Sequence, residues 1–142
     1  MNTTYTDLYK FFIRQTKVNN NDLPSSEESQ KNLINDGVME FNIRLRIGKE
    51  KLQCDDVLEE LSENLNDEFV MFLSECITLI VYKNMLQEYV STWETFQNDI
   101  GRKYYKDQLN GKQKLIDDQE IRLKSLKLAI NEEYLGDEYG TI

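Results

Sequence analysis

The feature of this sequence that most constrains its fold is an apolar stretch between Asn66 and Val90. Asn66 is a residue type that caps helices, and Asp67 and Glu68 follow it where the helix dipole favours negative charge. Apolar side chains then recur on nearly every side of the helix rather than along one stripe. A helix of this kind must be surrounded by other apolar surfaces. The pattern therefore predicts a central core helix, or a helix that packs against copies of itself.

Charge and cysteine usage limit the environment of this helix. Glu75, Lys83 and Glu88 interrupt it, and the uncharged stretches between them are shorter than the roughly 20 residues that a membrane span needs, so we expect no membrane contact. The 142-residue chain has a net charge of −9, which disfavours charge-driven binding to nucleic acid. Cys54 and Cys76 have neither disulfide nor metal-site spacing, which indicates reduced thiols in a cytosolic protein.

Three further helices are predicted around the central one. The first covers residues 4–16, the second runs from the cap Ser25 to about Gly48, and the last runs from about residue 112 to 133. Residues 49–65 are interpreted as a polar connection with at most one helical turn, and the sequence shows no strand pattern. The last helix has an alternating spacing of three and four that predicts a narrow seam against one partner. The seam residues are Ile116, Gln119, Leu123, Leu126 and Ile130.

These elements predict an all-α fold: a small helical bundle with a long apolar central helix, an amphipathic C-terminal helix and an extended C-terminal tail. The helical domain covers residues 1–133, and residues 134–142 form the tail. Gly37 lies inside the apolar stripe of the second helix, which indicates close approach of a neighbouring helix. Trp93 and Phe96 follow the central helix, and we expect them to cap the core rather than to anchor an interface.

Residue types that carry catalysis are scarce in this chain. There is no histidine, phosphate-binding loop or dinucleotide glycine motif, which removes the commonest general base and most catalytic zinc sites. Glu59, Glu60 and Glu63 have the spacing of half a Mg²⁺ site, similar to half of the motif of all-helical nucleotide pyrophosphatases, but a second acidic pair is missing. We expect a protein that is not an enzyme and that has no cofactor, metal site or catalytic residue.

Two basic clusters are candidate contacts with a partner. The first lies at the end of the second helix and the second is interleaved with tyrosines; they comprise Arg44, Arg46, Lys49 and Lys51, and Arg102, Lys103, Tyr104, Tyr105 and Lys106. Such mixtures hold phosphates and stack bases, but Tyr and Arg are also favoured at protein interfaces. The acidic net charge favours a protein interface.

The order of parts along the chain suggests a family. In sequence order these parts are a short aromatic helix, a second helix ending in Phe41-Asn42-Ile43-Arg44-Leu45-Arg46, a polar connection, Leu65-Asn66-Asp67-Glu68-Phe69 opening an apolar helix, a polar stretch from Asp99, Tyr104-Tyr105-Lys106-Asp107-Gln108-Leu109, and a last amphipathic helix. This layout, over residues 5–135, resembles the head–tail connector (adaptor) proteins of tailed bacteriophages.

The resemblance implies a structural virion protein that forms a ring under the portal, a dodecamer in that family, extends the DNA channel and joins head to tail. It implies two protein partners, the portal and a downstream head-completion or tail protein, while DNA passes through without specific binding. It also implies assembly in the host cytoplasm and a place at the head–tail interface of the virion. The implied portal-docking residues of the tail are Tyr134, Leu135, Tyr139 and Ile142. The implied subunit interface comprises Leu123, Leu126, Ile130, Arg102, Tyr104 and Tyr105.

Two other functions stay open on sequence alone. A helical nucleic-acid-binding or regulatory protein would use residues 44–51 or 102–106 as its contact, although no helix-turn-helix pattern is present. A Mg²⁺-dependent hydrolase that uses Glu59, Glu60 and Glu63 is the weaker alternative.

Overall fold

Helices make up most of the chain in the computed structural model, which describes the backbone of residues 1–140 and the side chains of residues 1–130. The helices of this part are α1 (Tyr5–Gln15), α2 (Glu27–Leu45), α3 (Asp67–Trp93), α4 (Gln97–Ile100) and α5 (Arg102–Gly140). Two 3₁₀ turns, Asn20–Asp22 and Glu94–Phe96, and an antiparallel pair of strands, β1 (Cys54–Asp55) and β2 (Glu60–Leu61), complete it. The predicted all-α helical bundle is confirmed.

The starts of α2 and α3 follow from capping chemistry. The side-chain oxygen of Asn66 accepts a hydrogen bond from the backbone N–H of Phe69 at 2.9 Å, as its position in the sequence predicts. The cap of α2 is Ser26, whose hydroxyl oxygen accepts from the N–H of Ser29 at 3.1 Å, rather than Ser25. Each bond satisfies an N–H group that has no partner within the helix.

The core is built around the first half of α3. Phe72, Leu73 and Ile77 have no exposed surface, although they point in different directions around the helix. Side chains from α1, including the fully buried Leu8 and Phe12, and from α2 and α5 belong to the same cluster. The prediction that this helix is central is therefore confirmed, because three helices of its own chain cover it.

α2 and α5 pack on different faces of α3. Gly37 of α2 contacts Ile77, and a Cβ added to this glycine would lie 2.5 Å from the Cγ1 atom of Ile77, so the predicted close approach is confirmed. On α5, the side-chain nitrogen of Gln119 donates to the backbone oxygen of Glu75 at 2.9 Å. Residues 75 and 77 are two positions apart, which is about 200° around an α-helix. α2 and α5 therefore contact different faces of α3, and they come close enough for Arg44 of α2 to lie 3.8 Å from Glu120 of α5.

By length and composition alone, the helical stretch Asp67–Ile100 is apolar enough to cross a membrane. The core helix of a soluble protein passes the same test. Here Phe72, Leu73 and Ile77 are enclosed by the chain's own helices, so these side chains are not available to lipid. The absence of membrane contact stays a prediction.

The connection between α2 and α3 differs from the prediction of a polar segment with one helical turn. It is a β-hairpin in which the Oδ1 atom of Asp55 accepts from the N–H groups of Val57 and Leu58, each at 3.0 Å, and shapes the turn. Leu61 on β2 is fully buried, and its N–H donates to the backbone oxygen of Thr3 at 2.8 Å. Strands of two residues are too short to show an alternating pattern, which is why the sequence does not reveal them.

α5 is longer than the predicted last helix at both ends. It begins at Arg102, ten residues earlier than predicted, and passes through Gly111. The cost of a helical glycine, about 1 kcal/mol relative to alanine, is offset because Tyr105 and Ile116 on either side are buried. At the other end the backbone of residues 134–140 is helical, where the sequence predicted an extended tail. No proline interrupts the chain there, so a helix begun upstream can propagate.

Candidate functional site

The second half of α3 and the start of α5 form a helical hairpin that is less covered than the core. None of the residues from 82 to 93 is buried, whereas most of those from 72 to 81 are. The turn of the hairpin is made by the 3₁₀ turn Glu94–Phe96 and α4, and Gly101, at φ 90°, lets the chain reverse into α5. This positive φ is readily adopted only by glycine.

Three large aromatic side chains are exposed at the turn of this hairpin. Trp93 is 39% exposed, Phe96 is 51% exposed and Tyr104 is 56% exposed. We call these three residues the aromatic end. Trp93 and Phe96 were expected to cap the core, which is wrong, because the core ends about three turns before the end of α3. An apolar residue that follows a periodic helix can pack back or point outward, and the sequence carries no signal that separates the two.

A pair of stacked tyrosines supports the aromatic end. The rings of Tyr89 and Tyr105 are 5.6 Å apart between centroids with an interplanar angle of 17°, and the Nζ atom of Lys112 lies 5.1 Å from the centre of the Tyr89 ring. The Tyr89 hydroxyl oxygen is enclosed and has no hydrogen-bond partner among the described residues. Burial raises the pKa of this phenol above its ordinary value, so the hydroxyl stays protonated.

A pocket of about 240 Å³ opens beside the aromatic end. Its lining combines apolar surface with one carboxylate pair and one ammonium group, and consists of Asp22, Met85, Glu88, Tyr89, Thr92, Trp93 and Lys112. A pocket next to an exposed Trp, with a hydroxyl that lacks a partner, has the composition of a site that accepts a side chain from another protein.

The charges around the aromatic end are balanced. Residues 94–107 carry three cations and three carboxylates, namely Arg102, Lys103 and Lys106 with Glu94, Asp99 and Asp107. The Nε atom of Arg102 also donates to Asn98 at 2.8 Å. A surface that tracks a nucleic-acid backbone needs an excess of positive charge. The balance therefore fits a protein partner better than a nucleic acid.

The predicted subunit-interface residues fall into two groups. Arg102 and Tyr104 are exposed at the hairpin turn, as an interface requires. Tyr105 is buried beneath Tyr89, and Leu123 is fully buried against α3. These two residues have no surface to offer to another subunit, because the seam that was assigned to a partner faces the chain's own central helix.

The remaining predicted contacts lie at the edge of the described residues or beyond it. Leu126 and Ile130 are partly buried and continue the seam against the core. The side chains of the predicted docking tail, Tyr134, Leu135 and Tyr139, and the whole of Ile142 lie outside the described residues. Docking through this tail stays a prediction.

The basic cluster at the end of α2 is engaged within the protein. Arg44 pairs with Glu40 at 2.8 Å and lies 3.8 Å from Glu120 of α5. Arg46 makes two hydrogen bonds to the carboxylate of Glu63, at 2.9 and 3.2 Å. These guanidinium groups hold the fold together, which reduces their capacity to bind phosphates.

The carboxylates of the proposed Mg²⁺ site are separated by their partners. Glu59 pairs with Lys31 at 2.9 Å and Glu63 pairs with Arg46, while Glu60 accepts a hydrogen bond from Asn2 at 3.3 Å. Within the described part of the chain, no three His, Cys, Asp or Glu residues are grouped in a way that could hold a metal ion.

The fold is that of a small helical-bundle protein, and the aromatic end groups three exposed aromatic side chains at one hairpin turn. The chain belongs to the YomZ prophage protein family, whose model matches residues 1–132. It is 27% identical over 133 residues to the SPbeta prophage-derived protein YomZ of Bacillus subtilis (strain 168), an alignment that covers 94% of this chain and 99% of that protein. No solved structure matches the chain.

The family match corrects the resemblance to head–tail connectors. The matching family is a prophage family and no connector family is indicated, so the assignment to the head–tail connector family is wrong. The layout that suggested it, short helix, capped helix, apolar helix and amphipathic helix, is one that unrelated helical bundles share. The phage origin expected from the sequence is supported by the family and by the relative.

Proposed function

We propose that the protein is a non-catalytic structural component of the phage particle, and that the aromatic end binds another phage-encoded protein. The observation that carries the proposal is the exposure of Trp93, Phe96 and Tyr104 together at the turn of one hairpin. Trp and Tyr are enriched among the residues that dominate the binding energy of protein interfaces, and three exposed aromatic side chains at one hairpin turn are a concentration that a solvent-facing loop does not need.

Three further features support a protein partner. The charges around the surface are balanced, which removes the attraction that nucleic acid would require. The Tyr89–Tyr105 stack fixes the two helices relative to each other, so the surface is rigid before binding and loses little entropy on association. The pocket beside Trp93 is lined by both apolar and charged side chains, Lys112 among them, and can receive a side chain of the partner.

The proposal extends to location and to a specific role. The protein would be made in the host cytoplasm and carried in the virion. In its most specific form the proposal is a ring subunit beneath the portal that joins head to tail, with the portal as the bound protein. The crosslinking experiment described below tests this specific role, because it identifies the protein that is bound.

The test compares phage particles from three lysogens. One carries the wild-type gene, and each of the other two carries a double variant of it; these are called the paired variants. Trp93→Ala/Phe96→Ala removes two exposed side chains, so it should fold normally and be lost from purified particles. The control Val57→Ala/Leu58→Ala removes two exposed apolar side chains from the β-hairpin turn and should be incorporated like the wild type. Protein in the particles is quantified by mass spectrometry, and folding by circular dichroism.

Identification of the bound protein uses a photo-crosslinking residue at position 96, with position 10 on the exposed side of α1 as the control. A crosslink to one virion protein from position 96 alone supports the proposal, and that protein decides between the portal and another position. Equal incorporation of both paired variants, or absence of the wild-type protein from particles, contradicts it. Salt-sensitive DNA binding that is lost on substitution of Lys103 and Lys106 would establish the regulatory alternative instead.

A further inference from the structure

The outer face of α5 carries apolar side chains that the fold does not use. Ile121 is 62% exposed and Leu128 is 63% exposed, and the two are seven residues apart, so they lie on one line along the helix. The opposite face of the same helix holds the buried Leu123 against α3. This outer line, with Lys114, Asp117 and Lys124 beside it, is called the α5 outer face.

The charges on this face are arranged symmetrically about its apolar centre. Asp117 precedes Ile121 by about one turn, and Lys124 follows it by about one turn. Both charged residues are exposed, and both lie on the same flank of the line, because seven residues correspond to nearly two full turns. Asp117 accepts a hydrogen bond from Gln113 at 3.0 Å, which leaves its second carboxylate oxygen available. Lys124 is in no ion pair among the described residues.

Two-fold symmetry turns this arrangement into a complementary pair of surfaces. When two helices pack antiparallel about a two-fold axis, equal flanks meet, and residues equidistant from the axis lie opposite each other. An axis between residues 120 and 121 places Asp117 of each copy opposite Lys124 of the other, and the two Ile121 side chains against each other. The same register sets Leu128 of one copy near the aliphatic stem of Lys114 of the other.

We infer that a second copy of this chain packs antiparallel on the α5 outer face, with Ile121 at the two-fold axis and two reciprocal Asp117–Lys124 pairs around it. The occupant is a second copy because the charge order is self-complementary in this one orientation. A parallel pair about a two-fold axis brings opposite flanks of the helix together, so the flank with Asp117 and Lys124 would not meet its own copy and the reciprocal pairs could not form. The surface is that of one helix, so the dimer is expected to be weak and concentration-dependent.

The outer face of α2 is the competing apolar surface, and it lacks this pattern. Met39, Ile43 and Ile47 are exposed along it. The guanidinium groups beside it are already used within the chain, since Arg44 binds Glu40, and Arg46 binds Glu63. These two cations are therefore not available to orient a second copy.

The test uses charge reversal read out by sedimentation velocity over a range of concentrations. Asp117→Lys alone and Lys124→Asp alone each place like charges opposite each other, so each should weaken the dimer about tenfold or more. The double variant Asp117→Lys/Lys124→Asp restores opposite charges and should dimerise like the wild type. Ile121→Glu should be monomeric at every concentration, and Ile43→Glu on the outer face of α2 is the matched control that should still dimerise.

Mixing the two single variants is the decisive measurement. The Asp117→Lys copy then presents two lysines to the two aspartates of the Lys124→Asp copy, so native mass spectrometry of one labelled and one unlabelled variant should show a heterodimer in excess of both homodimers. A wild-type protein that is monomeric at high concentration overturns the inference. Dimerisation that is unchanged in Ile121→Glu, or lost in Ile43→Glu, overturns it as well. Circular dichroism of each variant confirms folding, which is expected because all four positions are exposed.

Discussion

Gly37 of α2 and Ile77 of α3 are in such close contact that a Cβ on the glycine would lie 2.5 Å from the Cγ1 atom of Ile77. This distance sets how closely the two helices approach. Gly37→Ala should therefore lower the free energy of unfolding by about 1–3 kcal/mol, despite the better helix propensity of alanine. Chemical denaturation measures the change.

Gly111 provides the matched control for this prediction, because it is a helical glycine with no atom within 4 Å of its hypothetical Cβ. Gly111→Ala should raise the free energy of unfolding by up to about 1 kcal/mol. In an Ile77→Ala background the cost of Gly37→Ala should shrink, since the clashing atom is gone. Equal effects of alanine at the two glycines would show that the close contact does not limit the packing.

Asn42 connects α2 to the segment before the β-hairpin through two buried hydrogen bonds. Its side-chain nitrogen donates to the backbone oxygen of Leu52 at 2.9 Å, and the N–H of Leu52 donates to its side-chain oxygen at 2.9 Å. Asn42→Ala leaves both backbone groups without a partner and should cost about 2–4 kcal/mol of stability. Asn32→Ala, at an exposed position of the same helix, should change stability by less than about 0.5 kcal/mol in the same thermal and urea melts.

Arg46 combines ionic and aromatic contacts that lysine cannot reproduce. Its guanidinium carbon lies 5.5 Å from the ring centre of Phe41 and 5.7 Å from that of Phe69, while two of its nitrogens bind Glu63. Arg46→Lys keeps the charge but loses the planar, two-point geometry, so we expect a loss of about 1–2 kcal/mol. Arg122→Lys, which changes a more exposed guanidinium bound to Glu75, should have a smaller effect. If Arg46→Lys and Arg122→Lys lost similar amounts of stability, the planar geometry of the Arg46 guanidinium group would not be what stabilises the fold.

Tyr5 gives the protein a pH dependence at alkaline pH. Burial, together with the hydrogen bond that its hydroxyl donates to Asp56 at 2.6 Å, raises the pKa of this phenol well above its ordinary value. The unfolded chain releases the proton first, near pH 10, so stability is retained below about pH 10 and falls as the pH rises above it. Tyr5→Phe should lower stability at pH 7 by about 1 kcal/mol and make the alkaline decline less steep.

The hydrogen bond between Tyr5 and Asp56 also makes stability depend on pH in the acidic range, where stability falls as the pH is lowered. Hydrogen bonds from Tyr5 and then from Asn35 lower the pKa of the Asp56 carboxyl. Its contribution to stability is present above the unfolded pKa of about 4 and is lost as the pH falls through the lower folded value. Urea titrations between pH 2 and 11 measure the free energy of unfolding over both the acidic and the alkaline range. An alkaline decline that is as steep in Tyr5→Phe as in the wild type would assign it to other groups, such as Tyr9 or Tyr82, whose pKa values burial also raises.

The helices could be predicted because their signals are local. Asn66 has the chemistry of a cap, and the apolar residues after it surround the helix, so the central position of α3 follows from sequence alone. Gly37 was similarly informative, since a glycine inside an apolar stripe indicates close approach. The β-hairpin was missed because its strands are only two residues long and because Leu61 is held by a contact with Thr3, far away in the sequence.

The candidate site was only partly predictable. Tyr104 and Arg102 were assigned to an interface and are exposed, but the seam around Leu123 was assigned to another subunit although it packs on α3. A helical stripe has the same appearance in sequence whether its partner belongs to the same chain or to another. Trp93 and Phe96 were misassigned for a related reason, because hydrophobicity predicts contact and does not specify with what.

The contacts between Thr3 and residues 61–65 have a consequence for the folding pathway. The Thr3 hydroxyl accepts from the N–H of Leu65 at 2.9 Å, across 62 positions of sequence. Closing a loop of this length costs conformational entropy, and contacts so distant in sequence slow folding relative to bundles in which consecutive helices pair. We therefore expect α1 to dock after α2, the β-hairpin and α3 have formed the surface that receives it. In a partly folded intermediate, the amide protons of residues 5–15 should exchange with solvent before those of α3.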